Sequence, residues 1–407
     1  VPSGATESLA VVIFLLTYVT AAAGRLPFFR IDRTGAAVVG ASLMVATGAV
    51  TLDEANRSID LNTIVLLFGM MIVVANLRLS GFFRLVSARA ARHVRRPWLL
   101  LLTIIGVTGL FSAFFVNDTI CLAMAPLVYE ITSHLKRNPT PYLLAVAMAS
   151  NVGSVATITG NPQNILIGSF SQIPYRDFAS SLVWVALTGL LLTAALLLLA
   201  YRREFSDLTP IPVDMLPEHV NRALLWKSIV VASVMIVMFF LGQPVAKVAI
   251  VAGGFLLLTR RVKPEKFYRE INFSLLTLFS GLFVVVAGLE KTSAFAALVV
   301  RASHLSLNRV PVLSLVTAAL SNLVSNVPAV LILKSFVARL AEPHRAWLAL
   351  AMSSTLAGNF TITGSVANLI VVEKAAEHKI HISFWEYFRV GAPLTVVTIV
   401  AGILLLG

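Results

Sequence analysis

Apolar residues fall in runs of roughly 15–20 positions separated by short charged loops, the pattern of membrane-spanning helices. Ten runs predict spans near 8–24, 35–51, 61–77, 141–159, 180–201, 228–242, 245–259, 272–289, 346–363 and 390–406. Two other apolar stretches, 98–133 and 310–340, each carry a polar break at the middle: FFVNDT at 114–119 and LVSNVP at 323–328. They read as hairpins that enter and leave on one side. The longest polar segment, 201–227, reads as a cytoplasmic linker between a first unit, 1–200, and a second, 228–407.

Composition agrees with this pattern. The chain of 407 residues is 58% hydrophobic and 13% charged, with mean hydropathy +0.88, against roughly 25% charged residues in a soluble protein. The net charge of +13 lies in loops, so it indicates a lipid surface and no nucleic acid. With the N-terminus outside and the spans alternating, 23 Lys and Arg fall inside, among them Arg25, Arg30, Arg33, Arg95, Arg260 and Arg261, and 8 fall outside. That satisfies the positive-inside rule for a multi-pass inner (plasma) membrane protein with both termini outside. Making either hairpin a single crossing reverses every later loop and spoils the asymmetry.

Two segments repeat. TITGNPQNILIG at 157–168 answers TITGSVANLIVV at 361–372, each with a Thr-Ile-Thr-Gly and an Asn (Asn164, Asn368) at the same place inside an apolar run. The match extends to 59–83 against 271–295, where Gly69 aligns with Gly281, and to the hairpin tips, where Asn117 aligns with Asn326. Five crossings per half, an odd number, turn the second half upside down. The fold class is therefore an all-α polytopic membrane protein of two inverted repeats, with hairpins at 98–133 and 310–340 and broken helices at 141–168 and 346–374. Paired interrupted segments in inverted repeats mark secondary transporters. A helix broken at midplane aims orphan N–H groups and a positive dipole end into a wet cavity, which suits an anion or an oxygen-rich solute. The bland alternative is a pair of kinked helices satisfied by their neighbours.

The candidate chemistry lies at these breaks. Asn117, Thr119, Thr159, Asn161, Asn164, Ser325, Asn326, Thr363 and Asn368 are expected to contact a solute, while Gly160 and Gly364 allow close backbone approach. Asp118 stands out: a charge at that depth costs at least roughly 2.5–3.5 kcal/mol, so it is read as the proton- or ion-coupling residue rather than a structural hydrogen bond to helix ends. Its repeat counterpart, Val327, is apolar. Lys334 either pairs with Asp118, attracts an anion, or snorkels. Cys121 lies on the Asp118 face of its helix, and a lone Cys reads better as a small core residue than as a thiolate site. No metal-ligand spacing, phosphate-binding loop or nucleophile motif is present, so no cofactor, ATP-driven pump or enzyme is implied.

At SNVGSVATITGNPQNILIG and GNFTITGSVANLIVV the chain resembles the ion transporter superfamily, from about residue 8 to 406. That group includes arsenite-efflux permeases, divalent anion:sodium symporters, citrate transporters and sodium/proton antiporters. Asn-Asp at the first tip is similar to the arsenite-permease and proton-coupled branch rather than to the Ser-Asn-Thr tips of dicarboxylate symporters. The resemblance implies ten spans with two re-entrant hairpins, elevator-like alternating access and a scaffold that often forms a homodimer. It further implies proton-coupled efflux of a small oxyanion or metalloid acid, arsenite or antimonite first. A di- or tricarboxylate symporter coupled to H⁺ or Na⁺, a sodium/proton antiporter and an uncoupled conduit are the alternatives. A soluble ATPase partner would leave no mark in the sequence.

Overall fold

The computed structural model describes residues 4–23, 31–92, 96–206, 220–258, 263–303 and 306–407. Residues 207–219 of the expected linker 201–227 lie outside them, as do Arg25, Arg30, Arg95, Arg260 and Arg261 of the charge asymmetry. Every regular element among the described residues is helical. The first half runs α1 (Gly4–Ala23), α2 (Arg33–Ala46), α3 (Leu52–Ser58), α4 (Leu61–Ser80), α5 (Phe82–Arg92), α6 (Pro97–Phe114), α7 (Asn117–His134), α8 (Pro139–Ser154), α9 (Pro162–Ser171) and α10 (Tyr175–Ala200). After the short α11 (Arg202–Phe205), the second half repeats the order. It runs α12 (Arg222–Phe240), α13 (Val245–Leu257), α14 (Pro264–Glu270), α15 (Phe273–Glu290), α16 (Ser293–Ser303), α17 (Val310–Val324), α18 (Asn326–Val337), α19 (Pro343–Ala357), α20 (Val366–Glu377) and α21 (Phe384–Leu406).

Seven described helices are long and apolar enough to cross a bilayer: α1, α4, α6, α10, α12, α15 and α21. The predicted spans 35–51 and 245–259 are shorter as helices, 14 and 13 residues. The first ends because Thr47 caps it and Gly48 turns at φ +73°. At both predicted hairpins two packed helices meet at the polar break, α6 and α7 at Phe115 and Val116, and α17 and α18 at Ser325. Both predicted broken helices form too. In the first, α8 ends at Ser154, a 3₁₀ turn covers Ile158–Gly160, and Asn161 caps α9 at the Asn164 N–H. Pro162 fits only the first position of a new helix, since it has no N–H to continue the old one.

Packing between the halves follows the same pairing. α4 crosses α13 and α2 crosses α15. A Cβ on Gly69 would stand 2.6 Å from the Ala249 carbonyl carbon, and one on Gly281 would stand 2.8 Å from that of Ala37. Small residues at these crossings let backbones touch where no water drives helices together. Gly69 and Gly281 stand 212 positions apart, as do Ala37 and Ala249, so each contact sets a glycine of one matched pair against an alanine of the other. Exchanging halves likewise maps α9 on α19 into α20 on α8, and α20 on α7 into α9 on α18.

Candidate functional site

Four helices begin at one cavity of about 70 Å³. Asn117 and Asp118 open α7, Asn326 and Val327 open α18, Pro162 and Gln163 open α9, and Ser365 and Val366 open α20; all line it. The rest of the lining includes Ala21 of α1, Arg33 of α2, and Leu275, Leu278, Phe279 and Leu282 of α15. A water needs about 10–15 Å³ of such volume, so a few waters or one small oxygen-bearing solute fit. α7 and α18 have no side-chain caps, which leaves their first N–H groups and positive dipole ends to the cavity.

Polar atoms at the tips are left for a ligand. The Asp118 carboxylate is half-buried and has no hydrogen bond or ion pair among the described residues. Asn117 Oδ1 and Asn326 Oδ1 are buried and unpartnered. Ser325 holds the second tip at φ +77°, ψ 160°, a region that non-glycine residues enter only under strain.

Behind the cavity, amides bind the halves together. Asn151 near the end of α8 donates to Asn359 Oδ1 (2.8 Å) and Asn368 Oδ1 (2.9 Å), and accepts from Asn117 (2.9 Å) and Ser365 (3.0 Å). Its repeat counterpart, Thr355, accepts from Asn161 (3.1 Å) and Gln163 (3.3 Å) and donates to Asn164 Oδ1 (3.3 Å). Each unwound loop is clasped alike. Asn164 donates to the Ser154 and Thr157 carbonyls, both at 3.0 Å, and Asn368 to those of Gly358 (2.7 Å) and Thr361 (3.1 Å). These amides satisfy carbonyls that the broken helices leave orphaned.

The residues expected at the site therefore divide. Asn117, Asp118, Ser325 and Asn326 line the cavity. Asn161, Asn164 and Asn368 shape the breaks behind it, and Gly160 and Gly364 let the backbone fold onto Ser154 and Gly358. Thr159 is buried, bonded to the Tyr175 hydroxyl (2.9 Å) and the Phe114 carbonyl (3.1 Å). Thr363 is exposed beside Thr361 (3.3 Å), and the Thr119 N–H closes onto the Val116 carbonyl. Lys334 pairs with Glu290 (3.5 Å) over the Phe170 ring, not with Asp118. Cys121 is buried and donates to Ser150 Oγ (3.0 Å) between α7 and α8, the bond of a core residue. No metal-binding cluster occurs among the described residues. Sequence reasoning missed Arg33, assigned to a loop, and the brace residues Asn151 and Thr355. Asn151, an amide in an apolar run, was a readable signal.

Comparison with known proteins adds to this geometry. The family model described as CitMHS, citrate transporter, matches residues 12–357. A silicon efflux transporter, LSI3, of Oryza sativa subsp. japonica is 32% identical, over 94% of this chain and 93% of its own. The putative transporter arsB of Dictyostelium discoideum is 22% identical over 92% and 87%. The crystal structure of the Alcanivorax borkumensis YdaH transporter shares the fold at 16% identity, with TM-score 0.62 over 99% of this chain and 96% of that one.

Proposed function

The chain belongs to the citrate transporter (CitMHS) family of the ion transporter superfamily and is a membrane secondary transporter, and on that premise we propose that it exports a small oxyanion or its neutral acid in exchange for protons. The observation that carries this reading is the convergence of four helix starts and an unpartnered carboxylate on one small cavity. Helix starts supply N–H donors for cargo oxygens, and Asp118 supplies the titratable group. Arsenite or antimonite is placed first among cargoes, with silicic acid of the same compact, hydroxyl-rich class. The efflux relative and the arsB relative support that class.

The image-related contacts of the halves support an inverted repeat with elevator-like exchange between two end states. Asp118 protonates at one face and releases the proton at the other. Asn117, Asn326 and Ser325 contact the cargo, and Asn151 with Thr355 keeps the four helix starts together. The positive-inside asymmetry supports an inner-membrane orientation with both termini outside. The family's description favours a second reading, uptake of citrate or another carboxylate; a carboxylate at the first tip and one cation among the described residues lining the cavity are a weak match for three carboxylates.

Purified protein in proteoliposomes, given arsenite, silicic acid, citrate, succinate or Na⁺ under an imposed pH gradient, separates these readings. Saturable, pH-driven movement of arsenite or silicic acid is expected. Saturable citrate uptake with neither of those fluxes overturns the proposal.

A further inference from the structure

We infer that Arg33 makes the site's charge one-sided: its guanidinium offsets ionised Asp118 only while the hairpin tips lie at the Arg33 end, so the coupling proton is given up there and taken up at the other end. This rests on the reading of Asp118 as the coupling acid.

Arg33 is the first residue of α2, half-buried, and without a hydrogen bond or ion pair among the described residues. Among the described residues it is the only cation lining the cavity, and Asp118 is the only acid. Two opposite charges, not in ion-pair contact, thus line one small cavity with mostly apolar walls, a setting in which a charge is felt over a longer range than in water.

Other charges are remote or engaged. On α7 itself Cys121 is hydrogen-bonded to Ser150, with the buried Tyr387 of α21 beyond it. Glu130 lies twelve residues further along α7, about 18 Å away at 1.5 Å per residue, and pairs with Arg84 of α5; His134 follows one turn later. Among the elements packed on α7, α4 carries Arg78, paired with Glu270, and α5 carries Arg89, which is also engaged. α20 adds Glu373 and the Lys374 pair with Glu377, and α6 and α8 add no charge.

The other end of the scaffold is different. The register that relates Ala37 to Ala249 relates Arg33 to Val245, and Leu275 and Leu278 to Thr63 and Leu66. Val245, Thr63 and Leu66 line a second cavity, of about 450 Å³, that no hairpin tip reaches and no charged residue lines among the described residues. The two cavities thus stand at matching places in the two halves, and among the described residues only one is lined by a cation. When the tips move to the Val245 end, ionised Asp118 loses its partner, and an isolated buried charge takes up a proton instead. With Arg33 facing the cytosol, as the loop charges place it, this order drives protons inward and cargo outward.

Labelling tests the inference without knowing the cargo. Dicyclohexylcarbodiimide adds to protonated carboxyls, so the full-length protein in nanodiscs is treated across a pH series and the Asp118 peptide quantified by mass spectrometry. Arg33→Gln is expected to keep Asp118 reactive to a pH about one unit or more higher than wild type. Arg33→Lys should follow wild type, and Val245→Arg should move the profile the other way. A superimposable Arg33→Gln profile, or Arg33→Lys shifting as far as Arg33→Gln, overturns the inference and leaves the proposed exchange standing. If the profile shifts but Asp118→Asn still exchanges protons for cargo, the exchange reading fails and the electrostatic effect of Arg33 stands.

Discussion

In the first break Thr159 is fully buried under Tyr175, whose ring packs against Phe239 (5.3 Å) and Phe240 (5.1 Å). In the second break the corresponding Thr363 is exposed and Thr361 is half-exposed. Yet the backbones match: Thr157 and Thr361 have φ −140° and −135°, both with ψ 165°, and both breaks make a 3₁₀ turn of Ile-Thr-Gly. The Asn164 and Asn368 amides bond to equivalent carbonyls in both. The shape of a break is therefore set locally by its asparagine, and the surroundings decide only who reaches it. The tips differ further, in backbone as well as side chain: Ser325 turns at φ +77° where Val116 has φ −54°, and Asp118 stands on one side where Val327 stands on the other.

The largest expected effect comes from the brace between the halves. Asn151→Val leaves the Asn117 donor and the Asn359 and Asn368 acceptors buried without their partner, at about 1–3 kcal/mol each. A loss of about 3 kcal/mol or more is expected in thermal unfolding of the purified protein. Thr355→Val, at the counterpart position, removes one hydroxyl and should cost about 1–2 kcal/mol. Equal losses would contradict the unequal division of the brace.

Next come the glycines of the two turns. A Cβ at Gly160 would stand 2.2 Å from the Ser154 carbonyl oxygen, and one at Gly364 2.9 Å from that of Gly358. Gly160→Ala should cost about 2–3 kcal/mol and Gly364→Ala about 1 kcal/mol, in the range of overpacked sites. Reversal of that order in melting temperatures would show the open break to be the more rigid one.

Ser325→Gly acts in the opposite direction. Relief of the backbone at φ +77° should raise stability by about 1 kcal/mol, with no counterpart gain from Val116→Gly, whose φ is −54°. Smallest is the loop contact between halves, where Glu54 pairs with Lys291. That hydrogen bond, with the Thr51 N–H, holds the Glu54 carboxyl down at about 2. A depressed carboxyl stabilises above its ordinary value of 4.5 and loses that contribution as pH falls toward 2. Glu54→Gln should therefore melt slightly lower than wild type at neutral pH, with the gap closing in acid.

Both breaks, both hairpins and the Asp118 tip were legible in the sequence because glycine, asparagine and proline inside an apolar run are costly unless the helix stops there. Arg33 was not, since a cation just outside an apolar run looks the same whether it faces lipid headgroups or a cavity. Asn151 and Thr355 were missed as braces because their partners lie about two hundred positions away, as Asn359 and Asn164 do. Nor does sequence separate Asn117, which lines the cavity, from Asn164, which clasps the loop behind it: both are amides at a break.

Asp118, where four helix starts meet, is the group proposed to carry the coupled proton, and the exchange depends on it. Its most direct test is Asp118→Asn in proteoliposomes loaded with a pH-sensitive dye and given an arsenite or silicic acid gradient. The substitution keeps shape and hydrogen bonding but removes the titratable group. Cargo-driven proton movement is expected to fall to background while downhill exchange of labelled cargo persists at a reduced rate. Uphill accumulation by Asp118→Asn with the wild-type pH dependence would contradict that role and move the coupling site elsewhere.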